Sequence, residues 1–289
     1  GLGDGQELYS RPAVGRLTPP ARPRTAFIGL GSQGGPMAQR MRAGGYDLIV
    51  WARRPETLEP FVAEGAVAAA SVAELGVMAD HVGICVVDDA GVAEICDQLL
   101  EVMRPGSLLA IHSTILPESC EMLAARCAEA GINFLDAPVS GGGGAAAAGT
   151  LTVMCGGGCE AFEQAKPVFE TFAGTLVHLG DAGAGQCAKI VNNALMAANM
   201  GLAHAALDAA EMLGIDRDAA KELIKASSGR SFAFEVYARL PHPTAFAHGA
   251  ALLSKDVDLL RASLGKSQIA TELDMAAGAF LNAAMGEQS

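Results

Sequence analysis

The sequence predicts an α/β domain followed by an all-helical domain, and three observations predict it. Short apolar runs alternate with helix-period segments from residue 25 to about 178. Three glycines, Gly29, Gly31 and Gly34, close the first of those runs. After Gly185 the strand signals stop and only helical patterns remain.

The apolar runs predict strands over 26–29, 48–51, 81–87, 108–112, 133–136, 151–155 and 175–178. Helical patterns lie between them, over 35–43, 90–103 and 117–130. Ser71-Val72-Ala73-Glu74 fits a capping box, which starts another helix. Repeated β-α alternation implies a mostly parallel, doubly wound sheet covered on both faces. Helices follow over 186–213, 216–227, 231–239, 248–264 and 267–285. The boundary falls in the GDAGAG turn, giving domains of 24–183 and 184–289.

Composition narrows the functional classes. The chain has 289 residues, above the ~100–200 of one domain, so two domains are expected. Its net charge is −12 and no basic block follows the first arginines, which argues against nucleic-acid binding. No run of ~18 uncharged apolar residues reads as a membrane span. The Ala-rich stretch 189–213 comes nearest, but it carries Asn192, Asn193, His204, Asp208 and Glu211, and reads as a long buried helix. Seven cysteines at irregular spacing suit buried thiols in a reducing cytoplasm. Cys155 and Cys159 lack the second pair that a zinc site requires, so no metal is expected. Residues 1–23, with Pro12, Pro19, Pro20 and Pro23, read as an unstructured tail without the apolar core of a signal peptide.

The glycine loop sits between a strand and a helix, the context a dinucleotide fingerprint needs. Gly29 permits the tight turn, Gly31 a close backbone approach to pyrophosphate, and Gly34 close helix–strand packing. Leu30, Ser32 and Gln33 fill the remaining positions of the loop. The following helix N-terminus offers free N–H groups to the phosphates. This is the Rossmann arrangement. An NAD site usually carries a carboxylate about 20 residues on. Here the second strand ends in Ala52-Arg53-Arg54. Arginine suits a 2′-phosphate, so Arg53 and Arg54 favour NADP, with NAD as the second candidate. Their alternative is a solvated surface position.

Three further stretches carry hydroxyl, amide or amine chemistry. His112-Ser113-Thr114 closes a strand, where ligands bind in such sheets. Ser113 or Thr114 could instead cap the helix after Pro117. Asp136-Ala137-Pro138-Val139-Ser140-Gly141-Gly142 ends a strand in a glycine-rich loop, suited to a carboxylate or simply flexible. Lys189 and Asn193 stand at i, i+4 on the long helix and share a face. A lysine there either snorkels to solvent or, if desolvated, approaches the working range of a proton donor. Ser254-Lys255-Asp256 offers another cation, or a surface ion pair. Arg230, Phe232 and Phe234 are candidates to shape a pocket, and the two phenylalanines equally candidates for core packing.

Taken in order, these stretches resemble the β-hydroxyacid dehydrogenase family, which includes 3-hydroxyisobutyrate dehydrogenases and tartronate semialdehyde reductases. The matching segments are GLGSQGGPMA at 29–38, HST at 112–114, DAPVSGG at 136–142, GAGQCAKIVNN at 183–193 and KD at 255–256. The first domain is also similar to the NAD-binding domain of 6-phosphogluconate dehydrogenase. The resemblance implies hydride transfer between NADP(H) and a small 3-hydroxy acid or its semialdehyde. It implies Lys189 as catalytic lysine and Asn193 as its substrate-orienting partner. Ser140, Gly141 and Gly142 would hold the substrate carboxylate. Ser113 and Thr114 would line the nicotinamide end, Val87 would face the cofactor, and Lys255 would close over it. It further implies a homodimer or homotetramer through the helical domain. Gln33, His112 and Ala52 depart from the usual Met, Asp and Asn of the family. An imine reductase on this scaffold and a catalytically silent NADP-binding protein are the competing readings, and Lys189 argues against both.

Overall fold

The computed structural model describes residues 22–265 and 267–286. The expected tail over 1–23 therefore lies almost wholly outside the described residues. The first half alternates as the apolar runs predict. Its elements are β1 (Thr25–Ile28), α1 (Gly34–Ala43), β2 (Leu48–Trp51), α2 (Glu59–Ala63), β3 (Val67–Ala68), α3 (Val72–Met78), β4 (His81–Ile84), α4 (Asp89–Leu100), β5 (Leu108–Ile111) and α5 (Pro117–Glu129). They continue with β6 (Asn133–Asp136), β7 (Val139–Ser140), α6 (Gly142–Ala148), β8 (Leu151–Gly157), α7 (Cys159–Phe169) and β9 (Ala173–Gly180).

The strands form one sheet in the order β3-β2-β1-β4-β5-β6-β8-β7, with β9 paired to β8. From β3 to β6 every pairing is parallel; β8 runs antiparallel to β6. Side chains alternate between the two faces. Phe27, Val50, Leu108 and Ala110 pack under α1, α6 and α7. Ala26, Ile28, Ile49, Val82 and Ile111 pack under α3, α4 and α5. Both faces are dry, which explains the continuous apolar runs. Ser71 caps α3 as read, accepting from the Glu74 amide at 3.0 Å, whereas the Glu74 carboxylate reaches one residue further back than a capping box requires and accepts from Ala70 N–H at 2.5 Å.

The second half is helical: α8 (Ala184–Met212), α9 (Arg217–Lys225), α10 (Phe232–Ala238), α11 (Ala247–Leu264) and α12 (Gln268–Met285). At 29 residues, α8 is about 43 Å long. It is not buried all round as its composition suggests. Ile190, Ala197, Met200 and Leu207 enter the helical core, whereas Val191, Leu195 and Leu202 remain exposed. Gly201 lets α12 approach closely: a Cβ there would stand 1.7 Å from the Ala276 carbonyl oxygen. Among the described residues no helix is long and apolar enough to cross a membrane.

Candidate active site

The cofactor loop follows β1 directly. Gly29 has φ of +97°, and a Cβ on it would lie 2.0 Å from the Cys85 carbonyl oxygen, so only glycine fits. Gly34 is equally confined, with the Gly29 carbonyl 2.0 Å from its would-be Cβ. Gly31 has open space beside it. Two glycines therefore pack the turn and the third leaves a cradle at the start of α1. No side chain caps that helix at Gln33; the Gly35 amide already donates to the Gly31 carbonyl at 2.9 Å and Pro36 has no N–H, which leaves the Gly34 amide for this space. This set of groups fits a dinucleotide pyrophosphate.

Arg53 and Arg54 lie past the end of β2, at the far side of this loop. Arg53 is 69% exposed and pairs with Glu94 of α4 at 3.1 Å. Spacing along the chain shows the arginines but not this carboxylate, which arrives from 41 residues away. The ion pair is exposed and worth ~0–1 kcal/mol, so it yields readily to a better anion.

Ser113 differs from its sequence reading. It is buried, and its hydroxyl oxygen accepts from Val86 N–H at 2.8 Å. Neither Ser113 nor Thr114 caps the next helix. The helix has no side-chain cap; Asp89 of α4 instead ties its start in place, accepting from Leu116 N–H at 3.1 Å and from the Ser119 hydroxyl at 2.8 Å.

The DAPVSGG stretch is also more ordered than a flexible loop. Val139 and Ser140 form β7 against β8, and Gly142 already opens α6. Gly141 and Gly142 hold φ of +132° and +72°, which favours glycine. Asp136, fully buried, accepts from Gly183 N–H at 2.7 Å and Gln186 N–H at 2.8 Å. It thereby ties the end of β6 to the first turn of α8.

That tie brings Lys189 to the same place. Its ammonium donates to the Val139 carbonyl at 2.9 Å, next to Ser140. Burial pulls its pKa below the ordinary lysine value, and the negative charge of Asp256 opposes the fall. One turn on, Asn193 is buried and held at both ends. Its amide donates to Asp256 at 2.5 Å, and its oxygen accepts from Asn192 at 3.1 Å.

Asp256 is the residue sequence reading missed. The sequence leaves the KD pair open between a lysine that closes over the cofactor and a surface ion pair. Instead its two members point apart: Asp256 is buried toward Asn193 and Lys189, and Lys255 reaches across the cleft. Burial raises the Asp256 pKa, against the lowering by its Asn193 hydrogen bond and by Lys189 and Lys255. Lys255 donates to the Val87 carbonyl at 3.1 Å and the Thr114 carbonyl at 3.0 Å. It bridges the ends of β4 and β5 from α11. Lys189, Asn193, Ser140, Thr114, Val87 and Lys255 thus converge, and Arg53 and Arg54 lie apart at the β2 end. Phe234 is a core residue of the helical domain, while Phe232 and Arg230 are exposed.

A glycine cradle at β1 and a desolvated lysine at the head of a helical domain define an NAD(P)-binding oxidoreductase. Comparison with known proteins makes this particular. Residues 24–180 match the family model of the NAD-binding domain of 6-phosphogluconate dehydrogenase. Residues 183–289 match that of the NAD-binding domain of NADP-dependent 3-hydroxyisobutyrate dehydrogenase. The chain is 35% identical to 3-hydroxyisobutyrate dehydrogenase of Pseudomonas aeruginosa over 260 residues, covering 86% of this chain and 87% of that one. It is 42% identical to the NAD-dependent L-serine dehydrogenase of the same organism over 224 residues, 73% and 72% of the two chains. Among solved structures, Mycobacterium tuberculosis 3-hydroxyisobutyrate dehydrogenase with L-serine superposes with a TM-score of 0.80. That match has 30% identity and covers 89% of this chain and 92% of the other. The chain belongs to the β-hydroxyacid dehydrogenase family and is an NAD(P)-dependent dehydrogenase of that class.

Proposed function

We propose that the protein transfers a hydride between NADP(H) and a small 3-hydroxy acid or its semialdehyde, with Lys189 as general acid and base. The observation that carries this is the Lys189 ammonium: desolvated, on the Val139 carbonyl, with Asn193 one turn away. Lys189 is half-buried, and its ammonium rests on a backbone carbonyl. Here the lowered pKa suits proton exchange with a reacting oxygen.

Each residue has a physical task. The Ser140 hydroxyl and the Gly141 and Gly142 amides would take the substrate carboxylate. Lys189 would give its proton to the oxygen during reduction and, once neutral, take it back during oxidation. Asn193, fixed by Asp256 and Asn192, would orient that same oxygen. Ser113 and Thr114 would border the nicotinamide, and Lys255, holding both strand ends, would close the site over it. When bound, the nicotinamide supplies the hydride chemistry itself. Gly29, Leu30, Gly31, Ser32, Gln33 and Gly34 would hold its pyrophosphate, and Arg53 with Arg54 a 2′-phosphate. NADP is the preferred cofactor on this reading. The family model of an NADP-dependent enzyme supports it, whereas the relative named for NAD keeps NAD as the second candidate.

The exposed face of α8, with Val191, Leu195 and Leu202, supports a homo-oligomer built through the helical domain. The domain division at 183/184 and a cytoplasmic location complete the reading.

The test follows absorbance at 340 nm with NADP and NAD, offering 3-hydroxyisobutyrate, L-serine and L-threonate, and the semialdehydes in reverse. Lys189→Met is run alongside. Turnover that falls at least ~100-fold in the variant supports the reading, because positioned acid–base groups contribute 10²–10⁴-fold. Undiminished turnover in the variant would remove Lys189 from the chemistry. Turnover of imines in place of hydroxy acids would replace the substrate class.

A further inference from the structure

Gln186 is fully buried on the first turn of α8, three residues before Lys189. It carries no charge and no obvious chemistry. Yet both ends of its amide are used, and both on the other domain. Its oxygen accepts from Ile115 N–H at 3.2 Å. Its nitrogen donates to the Ser113 carbonyl at 2.7 Å. One side chain thus pairs with the backbone on either side of Thr114, as a neighbouring strand would.

The surroundings give this pairing direction. Ser113 is fixed from behind by Val86 N–H on its hydroxyl. Thr114 is fixed from the front by Lys255 on its carbonyl. The Gln186 backbone is itself held by Asp136. The α8 start is therefore referenced to two strand ends at once, β6 through Asp136 and β5 through Gln186. Lys189 sits one turn beyond, on the same side of the helix.

We propose that Gln186 is a positioning residue for the reaction, setting the distance between Lys189 and the Ser113–Thr114 edge of the site. This rests on Lys189 being the proton-transfer group. Errors of about 1 Å between reacting groups cost on the order of 100-fold in rate, so losing this reference slows chemistry more than binding.

Two variants test it in the full chain. Gln186→Met keeps the volume and removes both hydrogen bonds. Gln186→Glu keeps the shape, and its introduced carboxyl can replace the amide donor only when protonated. Burial beside Asp136 and Cys120 raises the pKa of that carboxyl.

The readouts are kcat on 3-hydroxyisobutyrate and L-serine, NADPH affinity by fluorescence titration, and deuterium exchange at the Ile115 amide. For Gln186→Met the expected result is a kcat more than threefold lower, NADPH affinity within twofold of the parent, and faster exchange at Ile115. For Gln186→Glu, kcat relative to the parent should rise as pH falls, which a purely structural role does not produce. A kcat within threefold of the parent in Gln186→Met, or an equal loss of kcat and NADPH affinity, overturns the proposal. If Gln186→Met does not fold, a flat pH ratio in Gln186→Glu overturns it instead. Lys189→Met separates the two readings. If it stays active, the role of Lys189 fails; if it is dead while Gln186→Met is not, only this proposal fails. If the parent turns over neither substrate, unchanged exchange at Ile115 in Gln186→Met overturns it.

Discussion

Asp256→Asn is the perturbation that most directly probes the electrostatics of the site. The change keeps the shape of the side chain. An asparagine oxygen can still accept from Asn193, so that hydrogen bond survives in weaker, neutral form. What disappears is the negative charge facing Lys189. Burial already lowers the Lys189 pKa, and Asp256 holds it up. A nearby opposite charge favours the charged form of a lysine, so Asp256 is the group that resists the effect of burial. Removing that charge therefore lets the Lys189 pKa fall further. The sign follows from the chemistry. Oxidation needs neutral Lys189, so kcat rises with pH through the lysine pKa. Removing Asp256's charge moves that rise to lower pH. Reduction needs the ammonium, so its falling limb moves the same way. The assay is kcat for 3-hydroxyisobutyrate or L-serine oxidation from pH 6 to 11, in parent and variant. A limb that stays in place, or moves to higher pH, would refute the coupling between these two residues.

Arg53→Ala should weaken NADPH binding at least tenfold more than NADH binding, and Glu94→Gln should strengthen NADPH alone; fluorescence titration checks both, and equal losses for the two cofactors would remove Arg53 from the 2′-phosphate. Gly201→Ala should destabilise the helical domain by about 2 kcal/mol or more. Helix propensity favours alanine by only ~1 kcal/mol, while the new Cβ meets the Ala276 carbonyl at 1.7 Å; thermal unfolding measures which effect wins. Acid stability should depend on two buried histidines. His112 stacks on Phe27 and sits near Phe169 and Phe172, and burial pulls its pKa down to about 4. Burial and neighbouring His112 pull His81 to about 3. Below pH ~6.5 the unfolded chain binds protons that the folded chain refuses, so stability falls with pH down to those values. Between pH 7 and 5 the pair accounts for about 4 kcal/mol, and His81→Leu should recover about half of it in urea unfolding.

Much of this architecture is legible in the sequence because its strands are dry on both faces. Four-residue runs such as Thr25–Ile28 and Leu108–Ile111 announce themselves as continuous apolar segments between glycine and proline turns. The two-residue strands β3 and β7 leave no such trace: Val67 and Ala68 are exposed, and Val139-Ser140 is too short to show a period. The cofactor loop, Lys189 and Asn193 were visible through spacing along one element. Asp256, Glu94 and Gln186 were not, because their roles come from packing between elements distant in sequence. Lys255 and Asp256 make the point most sharply. They are adjacent in the chain, yet the helix turn sends one across the cleft and the other inward, and composition carries no sign of that division.

The unbroken run of α8 has a mechanical consequence. Its first turn is fastened to the sheet, and its remaining length forms the spine of the helical bundle. The helical bundle is thereby registered to the sheet at one place. Asp136 and Gln186 fix where α8 begins, and Lys255, from another helix, lands on the Thr114 carbonyl between the two residues that Gln186 holds. Lys189, one turn along α8, takes its position from that same fastening.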